Sequence, residues 1–344
     1  MAKVLNRRNF LALSGVGALS CLPLLSACSS NTSSGGASSA NSSDASGSAA
    51  ADATPNIKVG TLPTEDLLPY WAAAEEGLFD AHGLNVEVVH FQAATELIAG
   101  VSSGEVDLAM TDIMVTASMV ASGTDVSMKW ITLGTTPDQG RFGIMSGPNS
   151  SVKSIDKLAG VPIGVGSNTI LEYVMDKLME AAGIPEDQIV VEELQKLPVR
   201  FQAMIANEVQ AAALPGSLLA LGEAQGCTLI VDDTQGENLS QSVMIVQNSL
   251  LESEGGEGLL QELQAVWDEA VDLVNANPEN YRGVLIANAN LSDEIADSYP
   301  ICQYPAAQMP TVEMVDPVLA WMEKKGYLSQ QLSYDASTGG FTRR

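Results

Sequence analysis

Between residues 57 and 110, short apolar runs alternate with stretches of helical spacing. Ile57-Lys58-Val59-Gly60-Thr61 reads as a strand, 65–79 as a helix, 86–91 as a strand, 94–103 as a helix and 106–110 as a strand. The same layout returns as strand 162–166, helix 169–182, strand 189–193, helix 199–206 and strand 209–214. Such alternation predicts parallel β-α-β units. The two stretches also agree in detail. "SSGEVDLAMTD" and "IANEVQAAALPG" each end a helix, place Gly104 or Asn207 at the joint, and pass through Glu-Val into an apolar strand. Gly and Asn tolerate the left-handed conformation that closes a helix. Two similar lobes are therefore expected.

After residue 240 the pattern changes. "SQSVMIVQ" reads as a strand returning across the lobe boundary, and helical periodicity then dominates at 259–275, 278–287 and 317–325. Two crossings, near 142–144 and near 243–246, predict a two-strand hinge. The Pro-rich run 299–310 reads as an irregular strap over the first lobe, with no chemistry of its own.

The chain start is of another kind. Lys3, Arg7 and Arg8 precede an apolar run, 10–27, which ends at Leu25-Ser26-Ala27-Cys28. A transmembrane anchor is the competing reading, but Ser14, Gly15, Gly17, Ser20 and Pro23 make a poor permanent helix. The run before Cys28 resembles the bacterial lipobox, in which the cysteine takes a lipid and becomes the mature N-terminus. Arg7-Arg8-Asn9-Phe10-Leu11 resembles a twin-arginine export signal, although Asn6 departs from the usual Ser or Thr. Residues 1–27 are thus read as a signal peptide. Residues 28–54, nearly all Ser, Ala, Gly and Asn, are read as a lipidated cysteine and a flexible tether. The chain is expected outside the cytoplasm, held by lipid to the outer face of the membrane.

Roughly 290 residues follow the tether, enough for two lobes. The formal net charge is −26, and the first 27 residues hold three of the cations and no acid, so the remainder carries −29. That acidity excludes nucleic acid as a partner and disfavours broad contact with anionic lipid. Cys227 and Cys302 are the only cysteines beyond Cys28, and no Cys or His cluster has metal-ligand spacing. No cofactor is expected.

Ligands of open parallel sheets bind beyond the carboxyl ends of the strands. Four loops qualify: 61–66, 111–112, 166–169 and 214–217. Helix starts at Thr64 and Asn168 would aim backbone N–H groups into a shared cleft. Asp112 either meets a ligand or caps the next helix. Ser167-Asn168-Thr169 presents the same choice. Arg141, in "QGRFGIM", either faces the cleft and pairs with an anionic ligand or makes a surface ion pair. Arg200, a cation near a helix start, opposes the helix dipole, which favours another role for it. Trp71 and Tyr173 read as core and His82 as solvated.

These residues also carry a family pattern. "IKVGTLPTEDLLPYWAAAEEGLFDAHGLNVEVV" resembles the first motif of the nitrate/taurine/sulfonate group of solute-binding proteins, which also includes proteins like the thiamine-pyrimidine synthase. "SGEVDLAMTD", "GVPIGVGSNTILEYVMDKL" and "ANPENYRGVL" resemble its later motifs, so the resemblance spans nearly all of 55–335. It implies an α/β, two-lobed type II periplasmic-binding fold, each lobe a mostly parallel sheet flanked by helices, with lobe one at 55–143 plus 244–344 and lobe two at 144–243. It also implies service to an ABC importer, with a permease and its ATPase as partners. Ligand contacts carried over by position fall at Thr61, Thr64, Thr111, Asp112, Ser167, Asn168 and Thr169, with Leu214, Pro215, Gly216 and Ser217 supplying backbone groups, and Asp66 joins the set as the end of loop 61–66. Arg141 and Arg200 complete the candidate set.

The expected function is a binding module, not an enzyme. A small solute bridging both lobes favours the closed state, and a monomer suits a moving hinge. The competing reading is an enzyme on the same fold, of the pyrimidine-precursor or dehydratase type. The pyrimidine-synthase branch uses a cysteine-rich motif and several histidines, whereas this chain has only His82 and His90. A sensor or adhesin is a third reading. Helix starts and Arg141 favour an organic anion, and aromatics at 5% argue against a sugar or a large aromatic ligand.

Overall fold

The computed structural model describes residues 56–289 and 291–343. The signal peptide, Cys28 and the tether lie outside the described residues.

The first lobe begins β1 (Asn56–Thr61), α1 (Leu68–Glu75), α2 (Leu78–Ala81), β2 (Asn85–His90), α3 (Ala94–Ser103), β3 (Leu108–Asp112), α4 (Ile113–Ala121) and β4 (Val126–Leu133). The second holds β5 (Phe142–Ser146), β6 (Pro162–Val165), α5 (Ile170–Ala181), β7 (Val190–Glu193), α6 (Leu197–Ile205), β8 (Ala211–Pro215), α7 (Gly216–Ala224) and β9 (Thr228–Asp232). The chain then returns through β10 (Ser242–Gln247), α8 (Asn248–Leu251), α9 (Gly256–Ala276), α10 (Arg282–Asn288), α11 (Val312–Lys325) and the hairpin β11 (Leu332–Asp335) and β12 (Gly340–Arg343).

The two five-stranded sheets have one design, β2-β1-β3-β10-β4 and β7-β6-β8-β5-β9. In each, three strands are parallel and the fourth is antiparallel. That fourth strand, β10 or β5, is the one that arrives from the other lobe. β5 and β10 each lie wholly within one sheet, so the chain crosses at 134–141 and 233–241. The expected boundaries at 143/144 and 243/244 fall inside those strands, because an apolar run does not show where one sheet ends.

Burial follows strand position. The inner strands β3, β5 and β8 are buried throughout, as expected of strands covered on both faces, whereas the edge strands β2 and β7 remain partly exposed. Gly104 (φ 76°) and Asn207 (φ 59°) close their helices in the left-handed conformation. The helix expected at 65–79 is instead a 3-10 turn, Glu65–Leu67, then α1 and α2, separated at Gly77.

Apolar side chains of α4 (Ile113, Met114), α5 (Ile170, Val174) and α11 (Val318, Met322) belong to one cluster. The two lobes therefore share a core along this side. Strap 299–310 contains three prolines, which donate no backbone hydrogen bond. Helix α9 satisfies the strap by side chains: Trp267 donates to the Pro305 carbonyl (3.0 Å), Asp268 accepts from Ala307 N–H (2.6 Å), and Asn275 bonds both backbone groups of Tyr304. Trp71 and Tyr173 are core residues. His82 is not simply solvated: it bonds Glu262 and Glu269, and those bonds raise its pKa. Cys227 and Cys302 are free thiols.

Candidate functional site

A cavity of about 60 Å³ lies where the carboxyl ends of strands from both sheets converge. The first lobe contributes Leu62, Thr64 and Asp66 after β1, Ala93 and Ala94 at the start of α3, Met110, Thr111 and Asp112 at the end of β3, and Ser242. The second contributes Phe142, the α5 start at Thr169, Ile170 and Leu171, then Gln195, Leu197, Arg200 and Pro215. The volume is well below the roughly 300–1,000 Å³ of drug-sized sites. It suits a solute of few atoms.

Asp112 sits at the centre of the polar arrangement. As the N-cap of α4 it accepts Val115 N–H on Oδ1 at 2.7 Å. Its Oδ2 accepts Ile170 N–H, the first turn of α5 in the other lobe, at 3.1 Å. Burial pushes its pKa up to about 6, the backbone N–H bonds oppose that rise, and the charge of Asp66 adds to it. Ser242, which pairs with Asp112 in the sheet register, donates its hydroxyl to Asp66. Asp66 and Asp112 thus flank Ser242 and are both buried.

The α5 start is fastened within its own lobe as well. Glu172 reaches back to accept the N–H of Asn168, the residue before the N-cap Thr169, at 2.7 Å. The Thr169 hydroxyl donates to the Gly166 carbonyl, and Asn168 Nδ2 donates across the lobes to Ser118. Lys196 and Glu96 form a further link between the lobes at 2.7 Å.

Arg200 is buried with no carboxylate partner. Its Nε donates to Leu194 O (2.8 Å), Nη1 to Ala213 O (3.0 Å) and Nη2 to Gln195 O (3.3 Å). Burial lowers its pKa to about 10, so it stays charged at neutral pH. Gln195 Nε2 donates to Glu193, and its Oε1 is buried without a partner.

Of the residues expected from sequence, the structure brings Thr64, Asp66, Thr111, Asp112, Thr169, Arg200 and Pro215 to this cavity. The others lie elsewhere. Thr61 bonds the Leu62 carbonyl. Ser167 is held by Glu193, and Leu214 is in the sheet core. Ser217 borders an apolar cavity beside Phe201 and Leu221. Arg141, at the end of the first crossing segment, is paired with Asp232 (2.7 Å) and Glu223 (3.0 Å) of the second lobe and does not line this cavity, the surface ion pair of the two readings. Gln195, Phe142 and Ser242 line the cavity but carried no signal, because their place depends on strands far apart in sequence.

Arg141 and Gly216 border a different cavity, of about 240 Å³, against the crossing segments. There Glu65 accepts the Tyr299 hydroxyl (2.6 Å) on Oε1, while Oε2 is buried without a partner. Burial, and then the charge of Asp66, push the Glu65 pKa up to about 7. The strap residues Tyr299 and Tyr304 both reach Glu65, so the strap fixes this turn of the site.

Residues 64–281 match the model of the family described as NMT1/THI5 like. The chain belongs to the NMT1/THI5-like family. No curated protein matches it significantly in sequence. Solved structures match the fold of this NMT1/THI5-like chain. The alkanesulfonate-binding protein SsuA of Xanthomonas axonopodis pv. citri, bound to MOPS, is 16% identical with a TM-score of 0.70, covering 81% of this chain and 96% of its own. The periplasmic aliphatic sulphonate binding protein SsuA of Escherichia coli is 17% identical with a TM-score of 0.66, covering 80% and 89%. The periplasmic nitrate-binding protein NrtA of Synechocystis PCC 6803 is 13% identical with a TM-score of 0.66, covering 80% and 83%. The fold is that of periplasmic binding proteins, two mixed sheets each flanked by helices.

Proposed function

We propose that this protein is the extracytoplasmic substrate-binding component of an ABC importer, a monomer that captures a small polar solute by closing two lobes on it and delivers it to a permease. The observation that carries this reading is the cavity between the lobes, lined from both sheets and spanned by the Asp112–Ile170 N–H bond. A solute touching both lobes stabilises the closed state by its differential contacts. Among the described residues no histidine or cysteine lines the cavity, and a binder needs no nucleophile–base pair. The names of the structural relatives, which speak of sulfonate and nitrate binding, support a receptor. We further propose export by the N-terminal signal and attachment through lipid on Cys28.

The test is native mass spectrometry of the full-length protein purified from its own cells. A stoichiometric small solute, released on denaturation and raising the unfolding midpoint when added back, is the expected result. A protein that carries no solute, and that a complete extract of small metabolites does not stabilise, would count against the receptor. Incorporation of labelled fatty acid, lost in Cys28→Ala, tests the anchor.

A further inference from the structure

An organic anion was the sequence expectation, and the cavity speaks against it. The expectation rested on Arg141 and on helix starts. Arg141 is paired with Asp232 and Glu223. Of the expected helix starts, that of α5 is already occupied, since Asp112 holds its first N–H with one oxygen and caps α4 with the other. The chain thus supplies its own carboxylate at the place where a bound anion would gain most from backbone N–H groups.

The charge that remains is negative. Asp66 and Asp112 face the cavity from the first lobe, and Arg200 is the only cation lining it. Three of the five N–H donors of Arg200 are engaged by backbone carbonyls. An anion entering here would meet two carboxylates and a guanidinium already committed to the protein. The acceptor capacity that remains is the second lone pair on each oxygen of Asp66 and Asp112, whose first bonds go to Ser242, Val115 and Ile170, together with Gln195 Oε1, a buried atom with no partner. Gln195 Oε1 and Arg200 Nη2 both approach Gly166, so closely that a Cβ there would stand 2.9 Å from each. A buried acceptor without a donor is costly, so a ligand that brings N–H groups is favoured.

We infer that the solute carries a positively charged, N–H-donating nitrogen, an ammonium, amidinium or guanidinium, which docks against Asp66 and Asp112. The inference rests on the receptor reading and names the chemistry of its cargo. Binding of such a group brings the cavity charge to neutral and gives both carboxylates a charge-assisted partner.

The test separates the two readings. A small-molecule extract of the host cells is divided by ion exchange into cationic, anionic and neutral pools. Each pool is added to the full-length protein at constant ionic strength, and the unfolding midpoint is measured. Stabilisation by the cationic pool is expected, with the affinity of the responsible compound falling at least about tenfold in Asp66→Asn, which keeps the side-chain shape and removes the charge. Stabilisation by the anionic or neutral pool alone would overturn the cation and leave the receptor intact. Stabilisation by no pool would overturn the receptor and the cation together. The pool comparison uses the unaltered protein, so it stands even if Asp66→Asn does not fold.

Discussion

The Asp112 carboxylate of the first lobe accepts the Ile170 N–H of the second at 3.1 Å, while its other oxygen caps α4. One side chain therefore holds two helix starts and faces the cavity. The other charged side chains lining that cavity are Asp66 and, from the second lobe, Arg200. Asp112 has its pKa pushed up to about 6, by burial first. A cationic solute favours the ionised carboxylate and so lowers that pKa on binding. Its affinity should accordingly weaken as pH falls through about 6, by at most roughly tenfold per pH unit. Calorimetric titrations between pH 5 and 7.5 check this, and Asp112→Asn should flatten the profile. A flat profile in the unaltered protein would mean that Asp112 does not meet the solute.

Stability should also depend on pH, with the opposite trend. Glu65 is raised to about 7, and Asp112 and Asp233 to about 6, in each case chiefly by burial. A carboxyl raised on folding contributes stability that is complete below its unfolded value near 4. That contribution is lost as pH climbs through the folded value. The unfolding midpoint of the solute-free protein should therefore fall between pH 5 and pH 8, the three groups together costing on the order of a few kcal/mol. Glu65→Gln should remove the part of the slope between about pH 6 and 8, because Glu65 titrates last. Scanning calorimetry across this range would reject the assignment if the variant kept the full slope.

Lys325 on α11 lies 2.9 Å from Glu172 and 3.0 Å from Asp176, two buried carboxylates of α5 in the other lobe. Trp321 donates to Asp176 and Tyr327 to Glu172. Removing the only ammonium would leave two carboxylates buried on neutral donors. Lys325→Ala should cost about 3–5 kcal/mol at pH 7, as for other broken buried pairs. Burial already raises Asp176, so the loss should be smaller at the lower pH, the direction in which a proton can replace the missing charge. Denaturant unfolding at pH 5 and pH 7.5 measures both effects. An equal loss at both pH values would show that the lysine acts by packing rather than by charge.

The lobes and their strand-end loops were legible because their signals are local. Apolar runs, helix stops at Gly104 and Asn207, and the rule that ligands gather beyond strand ends each need only a short window of sequence. Sequence leaves Arg141 between ligand contact and ion pair because its partners, Glu223 and Asp232, are more than 80 residues away and nothing local says which acid meets it. Asp112 was left between cap and ligand contact, and the structure makes it the cap while keeping it on the cavity wall. Glu65 looked like an ordinary acid in a first helical turn. Only the strap, fastened to α9 by side-chain bonds, brings Tyr299 to it and buries it. The Gln195 oxygen gave no signal at all, since its isolation depends on what the α6 start and Gly166 leave open.

Gly166 offers the sharpest test of where the solute sits. A methyl group there would stand 2.9 Å from Arg200 Nη2 and 2.9 Å from Gln195 Oε1. Both atoms are ends of flexible side chains, so the fold can yield by small shifts. The cost of Gly166→Ala in stability should stay within about 1–3 kcal/mol, the usual range for one added carbon in a packed place. The methyl would nevertheless push against Gln195 and Arg200, both of which line the cavity. If the solute contacts those two side chains, its affinity should fall about tenfold or more while the unfolding midpoint of the free protein moves only a few degrees. An unchanged affinity would place the solute at the Asp66–Asp112 end alone. The buried oxygen of Gln195 would then need another partner, such as an ordered water.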